Sequence, residues 1–248
     1  MVQASTTGFN GLAEAYDNVW TNTAIGTQQR IAVWRRIDKL FSEGDRVLDL
    51  GCGTGVDAQH LRENGVEPYG IDSSAAMVQK AQSRGVNAHH HPIEELVSLQ
   101  IQFDGAISNF GALNCVQSMS DTSSALAQCI RTGGYLALCV MGRCCAWEVM
   151  HFLAKGEFRK AFRRFAVRTT SSLGVDVFYP SQAALVTAFG PYFRLIDMAG
   201  VGLFVPPSYV QNLSDSTILK LAALDNGVAH WPLLRSLADH RLYIWQRV

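Results

Sequence analysis

Apolar positions in this chain form short, nearly continuous runs, and these alternate with stretches in which apolar residues return every three or four positions. The runs RVLDL, EPYGID, VNAHHH, FDGAISNF and YLALCVM each predict a strand. Between them the pattern predicts a helix through about Asn64, a helix in SAAMVQKAQSRG with Ser73 or Ser74 as N-cap, a polar helix or turn in IEELVSL, and a helix around SSALAQCIRTGG. Upstream, Ile31, Trp34, Ile37 and Leu40 recur among Arg35, Arg36 and Lys39, so residues 9–41 predict two helices joined near Thr21–Gly26. From Arg143 to Tyr179 the rhythm breaks. It resumes with a helix around SQAALVTAFG, a strand at YFRLIDM, a VPPSY loop, one or two helices up to His240 and a strand at RLYIWQRV. Strands that alternate with helices need right-handed crossovers, which predicts an α/β, doubly wound, mostly parallel seven-stranded sheet. The organisation expected is an N-terminal helical segment (1–43), a core (44–142), an inserted helical cap (143–180) and a completion of the sheet (181–248).

Composition narrows this picture. With 248 residues, 48% of them apolar, the chain can bury a large core without disulfide or metal staples. Its 21 basic and 21 acidic side chains cancel, which argues against a broad nucleic-acid surface. The charge is unevenly spread, however: residues 1–147 hold 10 basic and 14 acidic side chains, 148–168 hold 6 and 2, and 169–248 hold 5 and 5. Six cysteines without a C-x-x-C pair read as reduced thiols. Met1–Asn10 lacks a basic then apolar leader pattern, and the apolar stretch Gly133–Ala154 is broken by Arg143 and Glu148, so a cytoplasmic chain without a membrane span is expected.

The strongest chemical signal is Val47-Leu-Asp-Leu-Gly-Cys-Gly-Thr-Gly55, an apolar strand followed by glycines at alternate positions. Glycines there let the backbone turn sharply and let a ligand approach without a Cβ in the way. A dinucleotide cradle would need G-x-G-x-x-G, but position 56 is Val56, and no G-x-x-x-x-G-K-[ST] phosphate loop exists. A nucleoside-type ligand without a phosphate fits better. Asp72 follows Gly51 by 21 residues, the spacing at which a carboxylate accepts hydrogen bonds from ribose hydroxyls.

These motifs resemble the class I S-adenosylmethionine-dependent methyltransferases. The resemblance is to the methyltransferase type 11 branch, with its ubiquinone/menaquinone C-methyltransferases, and for the N-terminal helix to glycine N-methyltransferase-like enzymes. It rests on FNGLAEAYD, VLDLGCGTG, GID, FDGAISNFGALN and IRTGGYLAL and covers about residues 9–141. It implies S-adenosylmethionine as cofactor and S-adenosylhomocysteine as product. By resemblance, Gly51, Gly53 and Gly55 line the methionine and ribose, Asp49 orients the ammonium or the glycine loop, and Asp72 with neighbouring Ser73 holds the ribose. Tyr16, in the lid helix, sits beside the sulfonium, Arg30 pairs with the methionine carboxylate, and Asn109 and Phe110 lie near the methyl group. One departure concerns adenine: where the family carries an acid this chain has Pro92, so adenine recognition is expected at Ile93 and Glu94.

Other features read more plainly. His89, His90 and His91 alternate across a strand, so at most two share a face; no metal site is expected. The prolines of Pro206-Pro207-Ser208-Tyr209 stiffen a loop. Phe158, Phe162 and Phe165 with the surrounding cations suggest an amphipathic cap helix, or else attraction of an anionic substrate or lipid head group. Methyl transfer from a sulfonium needs mainly alignment in a water-poor pocket. The expected acceptor is a small molecule in a pocket shaped by Trp20, Asn114, Trp147, Tyr179 and Tyr209, with Tyr16 and His151 as candidate catalytic groups and Glu148, Tyr179 and Tyr209 as other possible bases. The rivals are an RNA or protein methyltransferase docking through the basic cap, and a binding protein without methyl transfer.

Overall fold

A computed structural model describes the backbone of residues 3–210 and 213–248, and their side chains from Phe9 onward. Met1 and Val2, part of the leader reading above, lie outside the described residues. Helix α1 (Gln3–Tyr16) runs into a π-helical turn at Asp17–Thr21, and α2 (Ala24–Ile37) follows. Then come β1 (Arg46–Leu50), α3 (Val56–Glu63), β2 (Glu67–Asp72), α4 (Ala75–Ser83) and β3 (Ala88–His90). A 3-10 turn at Ile93–Leu99 leads to β4 (Phe103–Ser108), α5 (Met119–Cys129) and β5 (Ile130–Met141). Beyond these lie α6 (Ala146–Ala154), α7 (Phe158–Ala161), β6 (Arg168–Thr170), β7 (Asp176–Phe178), α8 (Gln182–Phe189), β8 (Phe193–Val201), α9 (Asp215–Val228), α10 (Pro232–Arg235) and β9 (His240–Arg247).

The main sheet has seven strands in the order β3-β2-β1-β4-β5-β9-β8. β1 to β5 are parallel, and β9 runs antiparallel between β5 and β8. Alternation along β5 explains the two-faced burial. Leu136, Leu138 and Val140 join Tyr243 and Trp245 in a core beneath α5 and α8, whereas Ala137 and Cys139 join Leu242 and Ile244 against Val33 and Ile37 of α2. Hydroxyl caps start the helices at the positions the chain supplies: Thr23, Ser74, Ser118, Ser181 and Ser214 each accept from a backbone N–H three residues on. The cap of α4 is thus Ser74 and not Ser73.

Two expectations need correction. The helix around SSALAQCIRTGG ends at Cys129, because Ile130 is extended and pairs with Phe103, so IRTGG opens β5 instead of closing α5. The cap is not one amphipathic helix. It comprises α6, the single turn α7, a 3-10 turn at Arg163–Phe165 and an antiparallel hairpin of β6 and β7. The expected apolar side is not the buried one: Phe158, Phe162 and Phe165 are 64%, 47% and 55% exposed, while among the cations Arg164 turns inward at 5% exposure. Two ion pairs explain that inward turn and are described below.

No helix among the described residues is long and apolar enough to cross a membrane.

Candidate cofactor and acceptor site

The parallel strands deliver their carboxyl ends to one edge of the sheet. There the chain leaves β1 through Gly51, Gly53 and Gly55, all at positive φ (69°, 54° and 81°). The three glycines do different work. A Cβ on Gly51 would come within 2.2 Å of Ala112 Cβ and one on Gly55 within 2.8 Å of Ala81 Cβ, so both permit close packing, whereas a Cβ on Gly53 would meet nothing within 4 Å. The Gly53 N–H donates to Asp72 Oδ2 (2.9 Å) and the Ser74 N–H to Oδ1 (2.8 Å), fixing the Asp72 carboxylate at the tip of β2. Burial raises the Asp72 pKa, and those two N–H groups oppose the rise.

Buried charge gathers beside this loop. Arg30 of α2 is 6% exposed, stands 3.6 Å from Asp57 and stacks on Trp20 with Cζ 4.3 Å from the ring centroid. Asp57 also accepts from Trp34 Nε1 at 2.7 Å. Nε and Nη1 of Arg30, Oδ2 of Asp49 and both amide atoms of Asn109 are buried without a hydrogen-bond partner. Groups left this way are costly unless a ligand uses them. Asp49 is 2% exposed, and burial, then the neighbouring carboxylates Asp57 and Asp72, lift its pKa well above the ordinary range, with Arg30 pulling it back. A buried cation with spare donors, an acid with a spare acceptor and a glycine cradle suit a zwitterionic amino acid joined to a nucleoside.

An aromatic wall closes this region. Tyr16 and Trp20 rings lie 5.7 Å apart, Trp20 and Phe110 4.8 Å, and Phe110 and His240 5.3 Å. Phe110 follows β4 at a φ of 53°, a left-handed conformation that a non-glycine residue holds only under constraint from its surroundings. Burial pushes the Tyr16 pKa up to about 12, against the pull of Arg30, so near neutral pH its phenol is a donor and not a base.

The N-terminal segment is latched across the loop. Asn10 Oδ1 accepts from Ser74 Oγ (2.7 Å), Glu14 pairs with Lys80 (3.0 Å), and Asp17 accepts from Thr54 Oγ1 (2.8 Å) and pairs with Arg84. Burial opposes the Asp17 charge, but the hydrogen bonds from Arg84 and Thr54 hold its pKa below the usual carboxylate value. A depressed carboxylate stabilises the latched state above its unfolded pKa of about 3.9 and loses that contribution as pH falls through the folded value. Asp17→Asn should therefore speed amide exchange in α1 and the π turn at pH 7, and the difference from wild type should shrink as pH falls below the unfolded value of about 3.9.

On the far side stands the cap. Glu148 is 1% exposed and receives Arg163 Nε (2.8 Å) and Nη2 (3.0 Å) together with Arg164 Nε (3.0 Å) and Nη2 (2.9 Å). Arg164 also donates to the Asp239 carbonyl (2.8 Å) and to Asp239 Oδ1 (2.6 Å). Of the expected acceptor-side groups, Trp147 donates to the Phe204 carbonyl (3.1 Å), and Tyr209 reaches Glu148 through its hydroxyl (3.4 Å). Tyr209 also packs against His151, with ring centroids 5.2 Å apart. Tyr179 is buried, with Arg164 Cζ 5.8 Å from its ring centroid. Asn114 spends its amide on Met141 (N–H at 2.9 Å, carbonyl at 3.2 Å) and on the Phe178 carbonyl (2.7 Å), bracing the hairpin to the core. Trp20 belongs to the cofactor-side wall. Tyr209 and the candidate bases of the cap thus cluster around Glu148, and burial, then that carboxylate, raises the Tyr209 pKa, which disfavours it as a base.

At the expected adenine edge Ile93 is buried and Glu94 is exposed. Both line an open groove of about 860 Å³ that continues along the start of α5. The three histidines face separate partners: His89 stacks on Tyr69 (4.4 Å), His90 Nε2 meets the Ser73 carbonyl (3.0 Å), and His91 Nε2 meets Ser98 Oγ (2.9 Å). The sequence reading missed Asn10, Asp17, Asp57, Arg84, Arg164, Asp239 and His240. Only the Asp-His pair opening the last strand carried a visible signal.

Sheet order, glycine loop and carboxyl-edge acid define a class I S-adenosylmethionine-dependent methyltransferase. The model of the methyltransferase domain family matches residues 27–199, and the chain belongs to that family. It is 33% identical over 137 residues to a demethylmenaquinone methyltransferase of Mycobacterium marinum, covering 53% of this chain and 56% of the relative. It is 36% identical over 94 residues to a malonyl-[acyl-carrier protein] O-methyltransferase of Enterobacter lignolyticus, covering 37% of each. In these alignments the chain spans about half or less of the relatives' length. The CcbJ methyltransferase of Streptomyces caelestis shares the fold, with a TM-score of 0.62, 15% identity and 99% of both chains covered.

Proposed function

We propose that this enzyme transfers the S-adenosylmethionine methyl group to a small-molecule acceptor bound between the aromatic wall and the cap. The observation that carries this reading is the pairing of four of the cap's six cations with carboxylates of the chain. Of the six in residues 148–168, Lys160 pairs with Glu157, Arg163 and Arg164 with Glu148, and Arg168 with Asp176. A surface that docks RNA keeps such charges free to neutralise phosphates. Here Arg164 is instead buried and Arg163 half-buried, both held by Glu148 beside Phe152, Tyr179 and Tyr209.

The cofactor brings a methyl group already activated on a sulfonium, so the chain's task is alignment and exclusion of water. Arg30 and Asp49 would hold the amino-acid end, with Asn109 offering its amide, and Asp72 with Gly51, Gly53 and Gly55 would hold the ribose side. Ser73, Ile93 and Glu94 border the nucleoside end. Tyr16, Trp20 and Phe110 would wall the reacting atoms, with the Asp17 latch keeping α1 closed over them. The names of the relatives, a demethylmenaquinone methyltransferase and a malonyl-[acyl-carrier protein] O-methyltransferase, support an oxygen or carbon nucleophile.

Two measurements check this reading. Calorimetric titration should show S-adenosylhomocysteine binding, and label from methyl-labelled S-adenosylmethionine should enter the small-molecule fraction of a host extract. Label found in RNA or protein instead would overturn the acceptor assignment. Binding without any transfer would reduce the protein to a cofactor-binding module.

A further inference from the structure

His240 stands at the carboxyl edge of the sheet, beside the aromatic wall. β9 runs antiparallel to β5, so its first residue pairs with Met141, the last residue of β5, and with Val201 at the end of β8. That register puts His240 on the carboxyl edge of the parallel strands, level with the glycine loop and with Asn109 and Phe110. Its ring is 8% exposed and meets Phe110 edge to face, at 5.3 Å and 80°. Phe110 in turn touches Trp20 and Arg30, so one aromatic ring separates the imidazole from the groups that would hold the methionine end.

The ring has an orienting acid. Nδ1 stands 3.3 Å from Asp239 Oδ2, at ion-pair distance but without hydrogen-bond geometry, while Asp239 Oδ1 and its carbonyl are held by the Arg164 fork at 2.6 and 2.8 Å. The Asp239 N–H donates to the Gly202 carbonyl (3.0 Å), fixing the acid from the backbone side as well. An acid on Nδ1 favours the tautomer with its proton there, leaving the Nε2 lone pair on the opposite side of the ring. The other ionisable groups near this pair are Arg164, Glu148, Cys145 and Tyr209 from the cap side and Cys139 of β5. Burial opposes the Asp239 charge, but His240 and Arg164 hold its pKa well below the carboxylate range. Burial raises Cys139, Cys145 and Tyr209 away from neutrality, Cys145 to about 12.

We propose that His240, oriented by Asp239, is the general base of the methyl transfer, and that the acceptor nucleophile is a hydroxyl. This rests on the small-molecule methyltransferase reading above. The proton of the acceptor hydroxyl passes to Nε2, the freed oxygen lone pair bonds the methyl carbon, and the carbon–sulfur bond breaks with its electron pair going to sulfur. The imidazolium, stabilised by Asp239, later releases its proton to water. A hydroxyl gains from such a base because its proton has to leave as the oxygen bonds the methyl carbon.

The test uses the full chain, S-adenosylmethionine with a labelled methyl group and a small-molecule host extract. In His240→Gln, S-adenosylhomocysteine affinity should stay within about twofold of wild type while transfer falls about 100-fold or more. The residual rate should climb in proportion to hydroxide, where the wild-type rate levels off, and the labelled product should be a methyl ether. Unchanged rate and pH profile in the variant overturn the base, and a product methylated on nitrogen or carbon overturns the acceptor class. Should the variant lose S-adenosylhomocysteine binding, nitrogen NMR of the wild-type imidazole decides: a proton on Nδ1 supports the assignment and one on Nε2 overturns it. Absence of transfer by the wild type, despite cofactor binding, removes the underlying methyl-transfer reading instead, a result distinct from all of these.

Discussion

Glu148→Leu should destabilise the fold by about 3–5 kcal/mol, because it removes the carboxylate that neutralises two arginines and leaves Arg164 with one anionic partner in a site 5% exposed to water. Coulomb attraction between buried ions barely offsets their desolvation while the set is complete, and breaking the set leaves the desolvation uncompensated. For a domain of this length the loss corresponds to a fall in melting temperature of roughly 6–20 °C. Urea denaturation of Glu148→Leu, of Arg164→Met and of the double variant checks the assignment. The double variant should lose less than the sum of the two single losses, since neither Glu148 nor Arg164 is then left buried without the other. Additive losses would show that Glu148 and Arg164 are not coupled. The Asp239 side of the cluster adds an acid dependence. Its pKa is lowered in the folded state, so its contribution is complete above the unfolded value of about 3.9 and fades only as pH falls below it.

Gly53→Val should separate folding from cofactor binding. No protein atom lies within 4 Å of a Cβ at Gly53, so the fold pays only for placing a β-branched residue at a φ of 54°, about 1–2 kcal/mol. The same open space is where the ribose and methionine would pass, and a side chain there should weaken S-adenosylhomocysteine at least about 100-fold. Gly51→Val should behave in the opposite way. Its Cβ would meet Ala112 Cβ at 2.2 Å, so the fold itself should suffer first. Calorimetry and thermal melting on both variants discriminate. Equal binding by Gly53→Val and wild type would move the cofactor away from this loop.

The backbone of the cofactor half was legible because its chemistry is local. Alternate glycines after an apolar strand, an acid at the end of the next strand and apolar runs of strand length each leave a signature within a dozen residues. What the sequence concealed depends on contacts between distant segments. Arg163 and Arg164 look like surface cations in a basic run, and only Glu148 and Asp239, the latter 75 residues from Arg164, turn them inward. The phenylalanines of the same run are correspondingly displaced outward. IRTGG looks like a helix end with a glycine stop, and pairing of Ile130 with Phe103 converts it to strand. His240 carried no more than a neighbouring aspartate as a sign. Its placement beside Phe110 follows from the antiparallel insertion of β9, which no periodicity encodes.

That insertion also sets the order in which the chain can be completed during synthesis. β5 ends at Met141, but the strand that covers its free edge begins at His240 and carries the fully buried Tyr243 and Trp245. At translation rates of ~5–20 residues per second, the edge of β5 waits on the order of 5–20 s for its neighbour, and an apolar edge exposed that long is a template for pairing with other nascent chains. Slowed translation between these two strands should lower the soluble yield, whereas the same slowing after Arg247 should leave it unaffected.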